Sequence, residues 1–269
     1  MTALRHYLLA LQFFTRVPVS GRLAAWMGYS PSMLNASAGH FPGVGWLVGA
    51  VGAGVMVALM GLLDSGATAT SPLALLVAAC LATAATVWLT GAFHEDGLAD
   101  TFDGLGGNVQ RERALEIMKD SRIGSYGTVT LVLVLLLKVT LLALLAQHGA
   151  WPVAAALIGA HVLSRAAPLV VMRALPYVSD PARAKSKPLA ESVSTASLWT
   201  GLGWSVPALA LIWQAHGTIG TIVMALLWLL VLARLLGMLR RRLQGFTGDT
   251  LGATQQLCEL AVYLGLALA

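Results

Sequence analysis

Three stretches of this chain carry no Asp, Glu, Lys or Arg at all: between Arg22 and Asp64, between Asp64 and Glu95, and between Glu191 and Arg234. Such runs suit a chain that crosses a lipid bilayer, where roughly 20 apolar residues in a helix match the hydrocarbon thickness. Composition agrees. Hydrophobic residues fill 57% of the 269 positions and charged residues 11%, against roughly 45–50% and 25% in soluble domains. So few charges cannot cover a soluble surface, and so much apolar surface excludes disorder. The sequence predicts an all-α, polytopic membrane protein of six or seven transmembrane helices, folded as one membrane-embedded domain over 1–269. Spans are expected near 41–63, 72–93, 125–146, 152–173, 198–215 and 219–239. The apolar stretch from Tyr7 to Phe14 is too short to span and reads as an interfacial helix. Residues 251–269 are apolar apart from Glu259 and fit either a seventh span or a surface helix.

The basic residues give the orientation. Arg5, Arg16 and Arg22 precede the first span. Arg111, Arg113, Lys119 and Arg122 follow the second, Arg183, Lys185 and Lys187 the fourth, and Arg240, Arg241 and Arg242 the sixth. With six spans, every cluster falls on one side, which the positive-inside rule makes cytoplasmic. The net charge of +5 is therefore topological and does not point to nucleic acid. Ser71-Pro72 is a helix start signal, and Gly45, Gly49 and Gly52 are expected to let helices pack closely. Cys80 and Cys258 lie in apolar surroundings and suggest neither a disulfide framework nor a zinc site.

The acids are concentrated. Of 12 Asp and Glu, seven fall within 95–120: Glu95, Asp96, Asp100, Asp103, Glu112, Glu116 and Asp120. In a helix, Asp96, Asp100 and Asp103 share one face at i, i+4 and i+7, and Glu112, Glu116 and Asp120 form a second stripe. Gly104, Gly106, Gly107 and Asn108 let the chain turn back between them. The expectation is an acidic helix-turn-helix at the cytoplasmic face, with six carboxylates opposed. Such crowding needs a compensating cation, and oxygen-only ligands favour Mg²⁺ or Mn²⁺; the alternative is a solvated polar loop whose acids pair with Arg111, Arg113, Lys119 and Arg122. Carboxylates on Mg²⁺ with Lys and Arg beside them suit a phosphate or diphosphate substrate. No Walker loop, Rossmann fingerprint or G-x-S-x-G elbow competes.

Residues 93–107, FHEDGLADTFDGLGG, and 111–127, RERALEIMKDSRIGSYG, resemble the signature of the cobalamin synthase family, the adenosylcobinamide-GDP ribazoletransferases. FFTRVPVS at 13–20, HFPGVGWLVG at 40–49, Ser164-Arg165 and TGDTLGA at 247–253 extend the resemblance through nearly the whole chain. The aspartate pattern also resembles that of CDP-alcohol phosphatidyltransferases. Phe102 stands where members usually carry a small residue, and Gln256 where many carry an acid. The resemblance implies a Mg²⁺-dependent enzyme of the bacterial inner membrane, with its active site facing the cytoplasm. It would join adenosylcobinamide-GDP to α-ribazole, or its 5′-phosphate, and release GMP, the nucleotide-loop assembly step of cobalamin biosynthesis. It places Asp96, Asp100 and Asp103 on metal, with Glu116 and Asp120 completing the site. It makes Asp103, Glu116 and Asp120 the candidate catalytic acids, with Asp120 the foremost candidate for the hydroxyl proton and no choice among them fixed by sequence. Lys119 and Arg122 would meet the diphosphate, and Asp249 would join the site or bind substrate. The bilayer is the remaining partner, and a homo-oligomer is compatible with the chain.

Isolated polar residues have competing readings. His94 adjoins the acids and suits packing or substrate contact equally. Arg165 lies about 8 residues, roughly 12 Å, inside its span, where a charge is costly and usually functional; a phosphate or acid contact is favoured over a structural ion pair. Lys138 lies deeper and favours snorkelling or a structural partner. His161 reads as an interhelical histidine. Two other classes use similar residues. A prenyltransferase would transfer a prenyl carbon, and a cation transporter would spread its acids over several helices near the midplane.

Overall fold

The computed structural model describes residues 2–63, 71–178 and 193–269. Arg183, Lys185 and Lys187, the basic cluster after the fourth expected span, lie outside the described residues, as do Asp64 and Ser65. The N-terminal helix α1 (Thr2–Phe14) is followed by two short helices, α2 (Gly21–Met27) and α3 (Pro31–Ser37), and a 3-10 turn at Ala38–His40. The long helices come next: α4 (Phe41–Leu63) and α5 (Pro72–Thr90). Two short helices, α6 (Phe93–Leu105) and α7 (Arg111–Ile117), lead into α8 (Ser125–Ala146), α9 (Ala150–Ala174), α10 (Thr195–Arg242) and α11 (Gly248–Ala267).

Among the described residues, five helices are long and apolar enough to cross a membrane: the one ending at Leu63, then α5, α8, α9 and α10. With 48 residues, an unbroken α10 would be about 72 Å long at the helical rise, more than twice the ~30 Å hydrocarbon core. It is broken at Gly217, whose φ of 71° and ψ of −176° leave helical space in a region open chiefly to glycine. The break falls in the loop expected at His216–Thr218, so the halves of α10 correspond to the fifth and sixth expected spans. The second expected span stops early, at Thr90, because Gly91 and Ala92 both take positive φ and turn the chain into α6. Pro72 opens α5 as expected, but Ser71 makes no capping hydrogen bond.

Close packing by small residues is borne out. A Cβ on Gly49 would lie 2.7 Å from the Ile158 Cα, and one on Gly45 would run into the His161 carbonyl, so α4 rests directly on α9. The N-terminal segment is a helix that buries Leu11 and Phe14. Phe14 packs edge-on against Phe41 and Phe93.

Helix α11 does not fit the surface-helix alternative for the C-terminal segment. It is enclosed by α6, α8, α9 and α10, and Thr254, Gln255, Gln256, Cys258, Glu259 and Tyr263 along it are all buried. Its polar residues would be costly against lipid, and enclosure lets Gln255, Gln256, Glu259 and Tyr263 form hydrogen bonds inside the protein.

Candidate functional site

Helix α6 carries the first acid stripe. Asp100 is buried, Asp103 half-buried and Asp96 exposed. Glu95, Asp96 and Asp100 line a cavity of about 210 Å³ with Ser121, Ile123 and Leu131 on its other walls. The cavity therefore lies between α6, the turn after α7, and the first part of α8. Glu95 is 7% exposed. Its Oε1 accepts a hydrogen bond from Gln256 Nε2 at 3.0 Å, and its Oε2 is buried with no hydrogen-bond partner. Burial raises the Glu95 carboxyl above its ordinary range, while the charges of Lys138 and Arg165 act in the opposite direction.

Asp103 does different work. Its Oδ2 accepts the Gly124 N–H at 2.7 Å and its Oδ1 the Gly127 N–H at 2.8 Å. Both amides belong to the first turn of α8, where unpaired N–H groups and the helix dipole favour an anion. Asp103 thus fastens α6 to α8 across the site.

The second stripe is not built as expected. Helix α7 ends at Ile117, where Lys119 and Asp120 donate their N–H groups to carbonyls only three residues back. Asp120 Oδ1 also accepts the Arg122 N–H at 3.0 Å, a local bond that competes with helix continuation. Asp120 and Arg122 therefore sit in a turn, off the helical register. Arg122 closes a bidentate pair on Asp120 at 3.0 and 2.7 Å. Glu116 is exposed and pairs with Arg113 at 2.9 Å; Glu112 is exposed near Arg111 at 3.6 Å. The expected opposition of six carboxylates is replaced by three acids of α6 facing the 121–123 turn. Lys119 and Arg122 do not share a helical face. Among the described residues, no three His, Cys, Asp or Glu side chains are already gathered as a metal-binding group.

The remaining candidates divide. The Asp249 backbone does approach the acids: a Cβ on Gly97, between Asp96 and Asp100, would lie 2.8 Å from the Asp249 carbonyl oxygen. His94 is 4% exposed and stacks on Phe14 at 5.5 Å. Burial, with Arg165 nearby, holds its imidazole well below its ordinary pKa, so it packs as a neutral ring. Arg165 is buried. Its guanidinium contacts His161 Nδ1 and donates to the His161 carbonyl, both at 3.0 Å, and its Nε has no partner. Arg242, expected only to set topology, donates to the Gly107 carbonyl at 2.8 Å and pins the turn between α6 and α7.

Lys138 has the structural partner that was one of its two expected readings, the Glu259 carboxylate, and His161 lies 3.5 Å from the same carboxylate on another helix. Sequence reasoning did not identify that partner as Glu259. Lys138 Nζ lies 2.7 Å from Glu259 Oε1, with side-chain exposures of 3% and 1%. The same carboxylate accepts from Tyr263 Oη at 2.9 Å and from Gln255 Nε2 at 2.8 Å. The available signal was that Lys138 and Glu259 are opposite charges within apolar segments.

The family model for cobalamin-5-phosphate synthase matches residues 6–267. The chain is 55% identical to an adenosylcobinamide-GDP ribazoletransferase of Polaromonas naphthalenivorans, over 99% of this chain and 98% of that protein. It is 56% identical to one of Albidiferax ferrireducens, over 98% of both, and 44% identical to one of Shewanella amazonensis, over 97% and 94%. No solved structure matches it. The signature acids on α6, the TGD segment packed against Gly97 of the same helix and these similarities together show that the chain belongs to the cobalamin-5-phosphate synthase family.

Proposed function

We propose that the chain transfers the adenosylcobinamide phosphate group from adenosylcobinamide-GDP to α-ribazole, or to α-ribazole 5′-phosphate, with release of GMP. The names of its relatives support the substrates, and the observation that carries the chemistry is the cavity walled by Glu95, Asp96 and Asp100. A ribose hydroxyl oxygen attacks the phosphorus that bears cobinamide. One O–P bond forms, the P–O bond to GMP breaks, and GMP leaves with that electron pair. The hydroxyl proton passes to a carboxylate of the site, and Asp120, beside cavity residue Ser121, suits that role. Lys119 and Arg122 on the same turn supply positive charge for the diphosphate.

The donor set fits Mg²⁺. It is oxygen-only, one buried carboxylate oxygen lacks a donor, and Mg²⁺ needs only one or two carboxylates because it keeps several waters. Asp96 and Asp100 would hold it. When bound, it supplies charge neutralisation for the diphosphate. Asp103 keeps the α8 N-terminus against α6, and Asp249 closes the side next to Gly97.

Ribazole carrying ¹⁸O in the attacking hydroxyl tests the step. Mass spectrometry should find the label in the corrinoid product and none in GMP; label in GMP would overturn the reaction as written. Arg122→Ala should raise KM for the GDP-activated corrinoid about 10-fold while kcat falls less than about 3-fold, the pattern of a contact kept along the reaction. Steady-state kinetics checks this, and a fall in ribazole affinity alone would reverse the placement of the two substrates.

The basic clusters support a cytoplasmic orientation of the acid cavity, and the family resemblance supports a bacterial inner membrane. Reporters fused after Gly107 and Arg242 should therefore read cytoplasmic, and one after His148 external. An external reading at Gly107 would contradict the placement.

A further inference from the structure

The roles given to Asp96 and Asp100 leave Glu95 without one. Its two oxygens are in different states. Oε1 is held by Gln256 at 3.0 Å; Oε2 is buried and has no partner, although the residue lines the cavity. A buried carboxylate oxygen in that state is unfavourable until a ligand supplies a donor or a positive charge.

Which oxygen is committed is fixed from deep inside the protein. Gln256 Nε2 donates to Glu95 Oε1 and to Gln255 Oε1, both at 3.0 Å. Gln255 Nε2 donates to Ser164 Oγ at 3.0 Å and to Glu259 Oε2 at 2.8 Å. Each amide nitrogen thus spends its two N–H donors, and neither amide can flip without facing acceptor against acceptor. Glu259 is anchored in turn by Lys138 and Tyr263. The bonds run unbroken from the buried ion pair to the cavity wall.

Resting on the transferase reading above, we propose that Glu95 gives its second oxygen to the divalent cation held by Asp96 and Asp100, and that Gln256 is the positioning residue that orients it. Partners behind a metal ligand fix its orientation, and their loss typically weakens metal binding about 10–100-fold. Gln256 touches no reacting atom and acts only through Glu95.

The test titrates the full chain in lipid nanodiscs with Mn²⁺ alone, following free Mn²⁺ by electron paramagnetic resonance. Glu95→Gln and Gln256→Leu should each weaken Mn²⁺ binding about 10-fold. The double variant should bind no more than about 2-fold more weakly than Glu95→Gln, because residues acting as one unit are non-additive. The Mg²⁺ concentration for half-maximal turnover should rise by the same factor in Gln256→Leu, with the ribazole KM unchanged. Gln256→Met, which keeps the side-chain length without the donor, serves if the leucine variant does not insert. Wild-type Mn²⁺ affinity in a folded Gln256 variant would overturn the proposal, as would a lowered melting temperature with that affinity intact, or fully additive losses. Unchanged Mn²⁺ affinity in Asp100→Asn would instead bring down the metal reading itself; a loss there with none in the Gln256 variants overturns the positioning role alone.

Discussion

Asp100→Asn should lower kcat at least about 100-fold while the protein still inserts, folds and keeps its melting temperature. Asp100 is buried on the face of α6 that lines the cavity. The amide keeps its shape but loses the charge that balances a cation, and removing one well-placed electrostatic group from an active site costs about 10²–10³ in rate. Mg²⁺ affinity, followed by isothermal titration, should fall with it. Asp103→Asn should behave differently. Both its oxygens accept N–H groups at the start of α8, so an amide there sets a donor against a donor and costs about 1–3 kcal/mol of stability. A folded Asp100→Asn protein with full activity would remove α6 from the chemistry.

Breaking the buried ion pair should produce the largest loss of stability. Lys138 and Glu259 meet at 2.7 Å and are almost entirely enclosed. Removing one partner leaves the other charge buried and uncompensated, at a cost of about 3–5 kcal/mol. Lys138→Met is therefore expected to unfold in mixed micelles at markedly lower denaturant than the wild type. Replacing both, as Lys138→Met with Glu259→Gln, should recover more than half of the loss, since exchanging a whole buried pair for neutral groups is often nearly neutral. A single variant as stable as the wild type would mean that the pair does not hold α8 to α11.

The features legible in the sequence depended on spacing along one helix. Charge-free runs located the spans because lipid permits little else, and the i, i+4, i+7 register put Asp96, Asp100 and Asp103 on one short helix. The glycines at 45 and 49 marked a close helix contact for the same reason, but not that α9 makes it. Features set by tertiary pairing were not legible. Helix periodicity ran through 112–120, but local bonds of Asp120 stop α7 at Ile117, and nothing in the apolar pattern announces that. Residues 251–269 read as a span or a surface helix, and their place inside the bundle was not legible because the partners of Gln255, Gln256 and Glu259 lie far away in sequence, at Glu95, Lys138 and Ser164. Arg165 stood out as an intramembrane charge, yet the residue at its guanidinium, His161, lies one turn back on the same helix. Asp103 was legible as an acid facing the site, but not as the group that fastens α8.

The most direct measurement of the proposed reaction is GMP release by the purified chain in nanodiscs, with each component left out in turn. With adenosylcobinamide-GDP, α-ribazole and Mg²⁺ all present, GMP and a corrinoid product containing ribazole should form one for one. Omitting ribazole, or chelating the metal, should stop both. GMP released without ribazole would make the chain a hydrolase, and undiminished transfer after chelation would contradict a site built by Asp96 and Asp100 around a divalent cation.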